Sequence, residues 1–276
     1  MENLRVSVIQ SHLHWEDSTA NRAMFEEKIW KIEESTDVIV LPEMFSTGFT
    51  MNAAKVAEPP NLYTTKWMKQ MADQTNALVL GSIIIKEGNN FFNRLIWMEP
   101  GGSSKIYDKR HLFRMAKENN VYSGGDKRMV ASWRGWNICP LVCYDLRFPV
   151  WSRNRWDTGK NKLDYDLLIY VASWPQARVT AWDALLKARA IENLSYVVGL
   201  NRVGADGNGV AYNGHSAVID PKGTSLWFGE EKDIQTTISL DSAMLLEYRE
   251  KFPAFRDADD LPLVRLTIIQ RPPFQS

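Results

Sequence analysis

The chain has 276 residues, of which 45% are hydrophobic and 24% charged, a composition that belongs to a folded globular protein and excludes a disordered or fibrous one. At this length about three quarters of the surface exposed by the unfolded chain is buried on folding, so a large core fits within one domain. The 33 basic and 33 acidic residues cancel, so no global field recruits nucleic acid or an anionic membrane. The N-terminus lacks the basic and apolar regions of a signal peptide, and no apolar run approaches the roughly 18 residues of a membrane span. The chain therefore reads as cytoplasmic, with neither nucleic acid nor membrane as a partner.

LRVSVIQ (Leu4–Gln10) reads as the first strand. Residues 21–34 follow as a helix with Phe25, Ile29 and Ile32 on one face, and DVIVLPE (37–43) as a buried strand ended by Pro42. That is a strand, helix, parallel strand unit. A second helix over 62–74 leads into ALVLGSIII, and FFNRLIWME and SSKIYDK then form an antiparallel meander around Gly101 and Gly102. WNICPLVCYD, DYDLLIYVASW, LSYVVGLNRVG and HSAVIDPKG supply four more strands, with a helix over 179–193 between the second and third of these. LLIYVAS and YVVGL are apolar on both faces, as in a sheet covered on both sides. The polar stretch 212–215 suggests only a turn. From about Lys251 a C-terminal segment carries its own apolar strand.

Three residues stand where a structural role explains them poorly. Glu43 follows VIVLP at the carboxyl end of a buried strand, where ligands bind in open α/β sheets. Cys143 ends LVCYDLRFP in the same way, before a turn whose backbone N–H groups are expected to lower its pKa from about 8.5. Lys109 follows a strand in KIYDKRHLF; alone it would read as a solvated lysine. Cys139, inside its strand, reads as a small core residue, and its spacing from Cys143 is too long for a disulfide, so both are expected to be reduced. Trp174 ends a strand on the same edge as Cys143 and is expected to line a pocket. The histidines, His12, His14, His111 and His215, show no metal-ligand spacing, and the glycines at 204–209 give no phosphate-binding pattern. No metal is expected.

LPEMF around Glu43, YDKRHLF around Lys109 and VCYDLRFP around Cys143 resemble, in order, the three signature segments of the nitrilase superfamily of carbon-nitrogen hydrolases. ARAIEN and NRVG extend the likeness from about Leu4 to Asp241. VASWPQAR, AWDALLKARAIEN and NRVGADGNGVAYNGHS look most like the omega-amidase branch, whose members hydrolyse the terminal amide of 2-oxoglutaramate and related acids. The resemblance implies an α/β fold, a four-layer αββα sandwich with mixed sheets, over residues 1–250. Residues 251–276 would be an extension packing on that domain or on a partner subunit, and a homodimer is the implied minimum. It also implies a Glu43, Lys109, Cys143 triad and a second glutamate, best matched by Glu118, although RMAKENNVYSGGD is polar enough for a surface glutamate.

On this reading Cys143 attacks the amide carbon, Glu43 moves protons, and Lys109 with the backbone N–H of Tyr144 meets the oxyanion. The substrate is a small-molecule amide, and no cofactor is required. A substrate carboxylate calls for an arginine. Arg178, just after Trp174, is the candidate; Arg202 is an alternative, as is Arg147, which is expected to pair with its neighbour Asp145. Nitrile, carbamoyl and aliphatic-amide chemistry, a non-catalytic role on this fold, and a thiol hydrolase using His111 or His215 are the competing readings.

Overall fold

Side-chain alternation along the first strands sets the architecture. The computed structural model describes residues 1–159 and 161–258. In β1 (Leu4–Gln10), Val6 and Val8 point into one core and Ile9 into another. After α1 (Ser18–Trp30), β2 (Val38–Val40) repeats this, with Val38 and Val40 on the first side and Ile39 on the second. The short α2 (Ala53–Val56) and α3 (Tyr63–Thr75) lead to β3 (Leu78–Glu87), where Leu80 and Val79 divide in the same way. β4 (Asn90–Met98) and β5 (Ser104–Asp108) complete the expected meander.

The second half contributes β6 (Ala131–Trp133), β7 (Trp136–Val142), α4 (Pro149–Ser152), the small pair β8 (Trp156–Asp157) and β9 (Lys162–Leu163), β10 (Leu167–Val171) and α5 (Val179–Asn193). It continues through β11 (Tyr196–Leu200), β12 (Val203–Ala205), β13 (Ala211–Asn213), β14 (Ala217–Ile219) and β15 (Ser225–Phe228). β16 (Ile234–Leu240) then returns to the first half, and α6 (Ser242–Lys251) follows. Two six-stranded mixed sheets result, ordered β16-β1-β2-β3-β4-β5 and β15-β14-β11-β10-β7-β6.

One core lies between the sheets and runs on to Trp182, Leu186 and Ala190 of α5, which covers the outer face of the second sheet. The other joins the outer face of the first sheet to Phe25 and Ile29 of α1 and to Trp67, Met68 and Met71 of α3. The layers are therefore helix, sheet, sheet, helix, the αββα sandwich that the resemblance implied.

The expected helix at 179–193 is α5, residue for residue. The helix expected over 21–34 instead spans Ser18–Trp30, because the Asp17 side chain accepts the N–H groups of Thr19 and Ala20 and so caps it early. Ile32 lies beyond its end and still packs against the same core. The stretch 212–215 is not only a turn: it opens inside β13, which pairs with β12 as a hairpin. Residues 259–276, with the apolar run read as a strand, lie outside the described residues. No helix among the described residues is long and apolar enough to cross a membrane.

Candidate active site

Strand direction gathers the site at one edge. β1, β2 and β3 run parallel, and β5, two antiparallel steps from β3, runs the same way, so Glu43 beyond β2 and Lys109 beyond β5 leave the first sheet together. In the second sheet β7 and β10 are parallel, which brings Cys143 and Ser173 to a common end. The Ser173 N–H donates to Glu43 Oε2 at 2.8 Å and so ties the strand ends of the two stacked sheets together.

Lys109 is 1% exposed and is not the solvated lysine that its neighbours suggest in isolation. Its Nζ lies 2.8 Å from Glu43 Oε1 and 2.9 Å from both carboxylate oxygens of Glu118. Glu118 is fully buried, not a surface residue: the Phe113 N–H donates to its Oε2 at 2.6 Å, which folds the polar segment over the lysine. Burial alone would lower the Lys109 pKa, but Glu118 and Glu43 outweigh it and hold the ammonium charged. Burial raises the Glu118 pKa, and the nearby Glu43 carboxylate adds to that effect against the pull of Lys109.

Cys143 has φ +46°, left-handed backbone in a non-glycine residue, at the start of the 3-10 turn Cys143–Arg147. The expected lowering of its pKa is overturned. Burial pushes the thiol well above its ordinary value and the Glu43 carboxylate beside it pushes further, more than Lys109 offsets. Burial and the Glu43 carboxylate thus favour the neutral thiol over the thiolate. Cys139 lies in the core as expected, fully buried, with a pKa raised to about 12 by burial.

A cleft of about 440 Å³ opens onto Lys109 and Cys143 and is walled by Tyr144, Trp174, Arg147 and Arg178 among others, a size suited to a small ligand. Trp174 therefore stands where its strand end predicted. Arg147 does not pair with Asp145, whose carboxylate is taken by Tyr107, His111 and the Val142 N–H; its guanidinium lies 4.9 Å over the Trp174 ring. Arg178 lies 5.5 Å over the Phe113 ring, its Nη2 2.8 Å from Met115 Sδ. Among the described residues no carboxylate forms an ion pair with Arg147 or Arg178. Arg202 is buried, donating to the carbonyls of Val203 and Ala205, and does not line the cleft. His111 and His215 sit against Asp145 and Asp183, and neither lines the cleft, which leaves a histidine-assisted thiol without its base.

The sequence reading missed Asn93, whose side-chain amide donates to Glu43 Oε1 at 2.8 Å and whose backbone carbonyl accepts the Lys109 N–H. A polar residue in the apolar strand FFNRLIWM was its only signal. Also missed were Trp15, Phe49 and the β12–β13 hairpin, which complete the cleft wall; the first two lie outside regular elements, and strands of three residues are too short to show a period. Among the described residues no cluster of His, Cys, Asp and Glu is arranged to hold a metal ion.

A buried carboxylate, ammonium and thiol thus meet at the ends of strands from two stacked sheets of an αββα sandwich, groups able to carry protons, to stabilise an oxyanion and to attack a carbonyl carbon. The carbon-nitrogen hydrolase family matches residues 5–248, and the chain belongs to that family, the nitrilase superfamily. It is 48% identical to the omega-amidase YafV of Escherichia coli strain K12 over 95% of this chain and 100% of that one. It is 31% identical to the 2-oxoglutaramate amidase of Bacillus subtilis strain 168, over 91% of this chain and 96% of the relative. The crystal structure of XC1258 from Xanthomonas campestris, a carbon-nitrogen hydrolase with an arsenic adduct in its active site, superposes with a TM-score of 0.93 at 42% identity, covering 96% of this chain and 100% of that one. The chain is thus an omega-amidase-like hydrolase of non-peptide amides.

Proposed function

We propose that this enzyme cleaves the terminal amide of a small carboxylated amide, of the 2-oxoglutaramate or 2-oxosuccinamate kind, to acid and ammonia through a thioester on Cys143. The observation that carries this reading is a cleft lined by Lys109 and Cys143, with Glu43 and Glu118 buried against the lysine, and by two guanidiniums, Arg147 and Arg178, that have no carboxylate partner among the described residues. The likeness to omega-amidases supports the substrate class.

Because the thiol is neutral at rest, its proton moves to Glu43 as sulfur attacks the amide carbon. Before attack, two carboxylates and one ammonium leave the group with one excess negative charge. Afterwards Glu43 is neutral and the charge sits on the tetrahedral oxyanion, still beside Lys109. Charge is relocated within a preorganised site, with Lys109 and the Tyr144 N–H as the donors that receive it. Glu43 then protonates departing ammonia and activates the water that opens the thioester. Glu118 keeps Lys109 charged and in place throughout.

Arg178 holds the substrate carboxylate, and Arg147, free of Asp145, is its neighbour in that task. A cation that loses its partner on a half-dry wall discriminates strongly. Steady-state ammonia release is expected to show kcat/KM at least about a hundredfold higher for 2-oxoglutaramate or 2-oxosuccinamate than for propionamide, with Arg178→Ala narrowing the gap. Equal values for neutral and carboxylated amides would refute the substrate assignment and leave the thiol chemistry standing.

A further inference from the structure

Asp145 is fully buried and serves none of the chemical steps above, yet it accepts hydrogen bonds from two separate strand ends. Its Oδ2 accepts the Tyr107 O–H at 2.7 Å and the Val142 N–H at 3.1 Å. Its Oδ1 accepts the His111 N–H at 3.0 Å and lies 2.8 Å from His111 Nδ1. Tyr107 and His111 stand two residues before and two residues after Lys109, and Val142 immediately precedes Cys143. One carboxylate thus grips the chain on both sides of the ammonium and the amide leading into the nucleophile.

The grip is itself braced. Tyr107 accepts from Trp151 Nε1 at 3.0 Å, and the His111 ring stacks on Phe148 with centroids 3.7 Å apart. Burial and the Asp145 charge raise the Tyr107 pKa far above its ordinary value, so its hydroxyl stays a donor. The left-handed turn at Cys143 is anchored on one side by the Val142 N–H in this network.

We propose that Asp145 is a positioning residue that holds the Lys109 ammonium in register with the Cys143 sulfur, by binding the segment around Lys109 and the entry to the Cys143 turn with one carboxylate. This rests on the reading of Lys109 as the oxyanion donor. Oxyanion stabilisation depends on donor placement to a fraction of an ångström, so a change at Asp145 should act on the transition state and leave ground-state binding alone.

The test is a double-mutant cycle on 2-oxoglutaramate hydrolysis with Asp145→Asn and Lys109→Met. Asp145→Asn keeps shape but turns one acceptor into a donor facing other donors. It is expected to lower kcat by about thirtyfold with KM within about threefold, and to cost less than about threefold once Lys109 is Met, because no ammonium remains to be aligned. Equal losses in both backgrounds, or a folded Asp145→Asn enzyme of normal kcat, would overturn the proposal. If Asp145→Asn does not fold, Tyr107→Phe removes a single arm of the grip; the same vanishing effect in the Lys109→Met background supports the proposal, and an undiminished one refutes it. The reading of Lys109 is tested separately by Lys109→Met alone, whose normal turnover would remove both.

Discussion

Cys143 occupies a left-handed backbone conformation that costs an L-residue about 1–2 kcal/mol, and it lines the cleft together with Lys109, its sulfur 3.9 Å from the Ser173 carbonyl oxygen. As the proposed nucleophile, this cysteine stands out in the sequence because its motif ends a buried strand. Its protonation state is not legible there, because Glu43 reaches it from a strand of the other sheet. A thiol held neutral by burial and by a neighbouring carboxylate reacts through a small thiolate fraction. Alkylation of the free enzyme by iodoacetamide is therefore expected to occur at Cys143 alone and to accelerate about tenfold per pH unit from pH 6 to 8.5, with no plateau. Mass spectrometry locates the adduct and stopped aliquots give the rate. Cys143→Ala should abolish hydrolysis while Cys139→Ala keeps most of it; preferential labelling of Cys139, or a plateau near neutrality, contradicts the assignment.

The elements best read from sequence were β1, where apolar Leu4, Val6 and Val8 alternate with polar residues, and α5, a run of helix formers between two apolar strands. β16 was invisible because IQTTISL is half polar: it is an edge strand whose side chains are mostly only half-buried. The SGGD segment shows how an irregular element can still be stringent. It bonds to the end of β5 through the Gly125 N–H and the Lys109 carbonyl at 3.0 Å, and a Cβ at Gly125 would stand 2.3 Å from the Asp108 carbonyl oxygen. That neighbour is backbone and cannot rotate aside. Gly125→Ala is expected to displace the strand end that carries Lys109, costing about 1–3 kcal/mol of stability and lowering kcat with it. Calorimetry and kinetics together check this; an unchanged Tm with normal kcat would show that the segment yields freely.

At the scale of the whole molecule, the two sheets must be tied at the end opposite the site as well, and Asp37 does this. Its carboxylate accepts the Arg5 N–H at 2.8 Å and the Arg5 guanidinium at 3.1 Å within the first sheet. It also pairs with Arg134 from the β6–β7 turn of the second sheet, where Trp133 Nε1 donates to the Asp37 carbonyl at 2.8 Å. The sequence showed the aspartate before β2 but not its partner, 97 residues away. Burial alone would raise the Asp37 pKa; the bonds from Arg5 and the charge of Arg134 overcome it and hold the carboxyl below its ordinary 3.8. A depressed folded pKa contributes stability that is complete above the unfolded value and is lost as pH falls through the folded one. Both arginine side chains are about two-fifths exposed, 41% and 38%, so solvent screens the pair and Asp37→Asn is expected to cost only about 1–2 kcal/mol at pH 7. Urea unfolding of both proteins should give the same difference at pH 7 and pH 5.5, and a smaller one at pH 3, where the wild-type advantage titrates away. A difference that stays constant down to pH 3 would mean that the carboxylate charge does not hold the sheets together at this end.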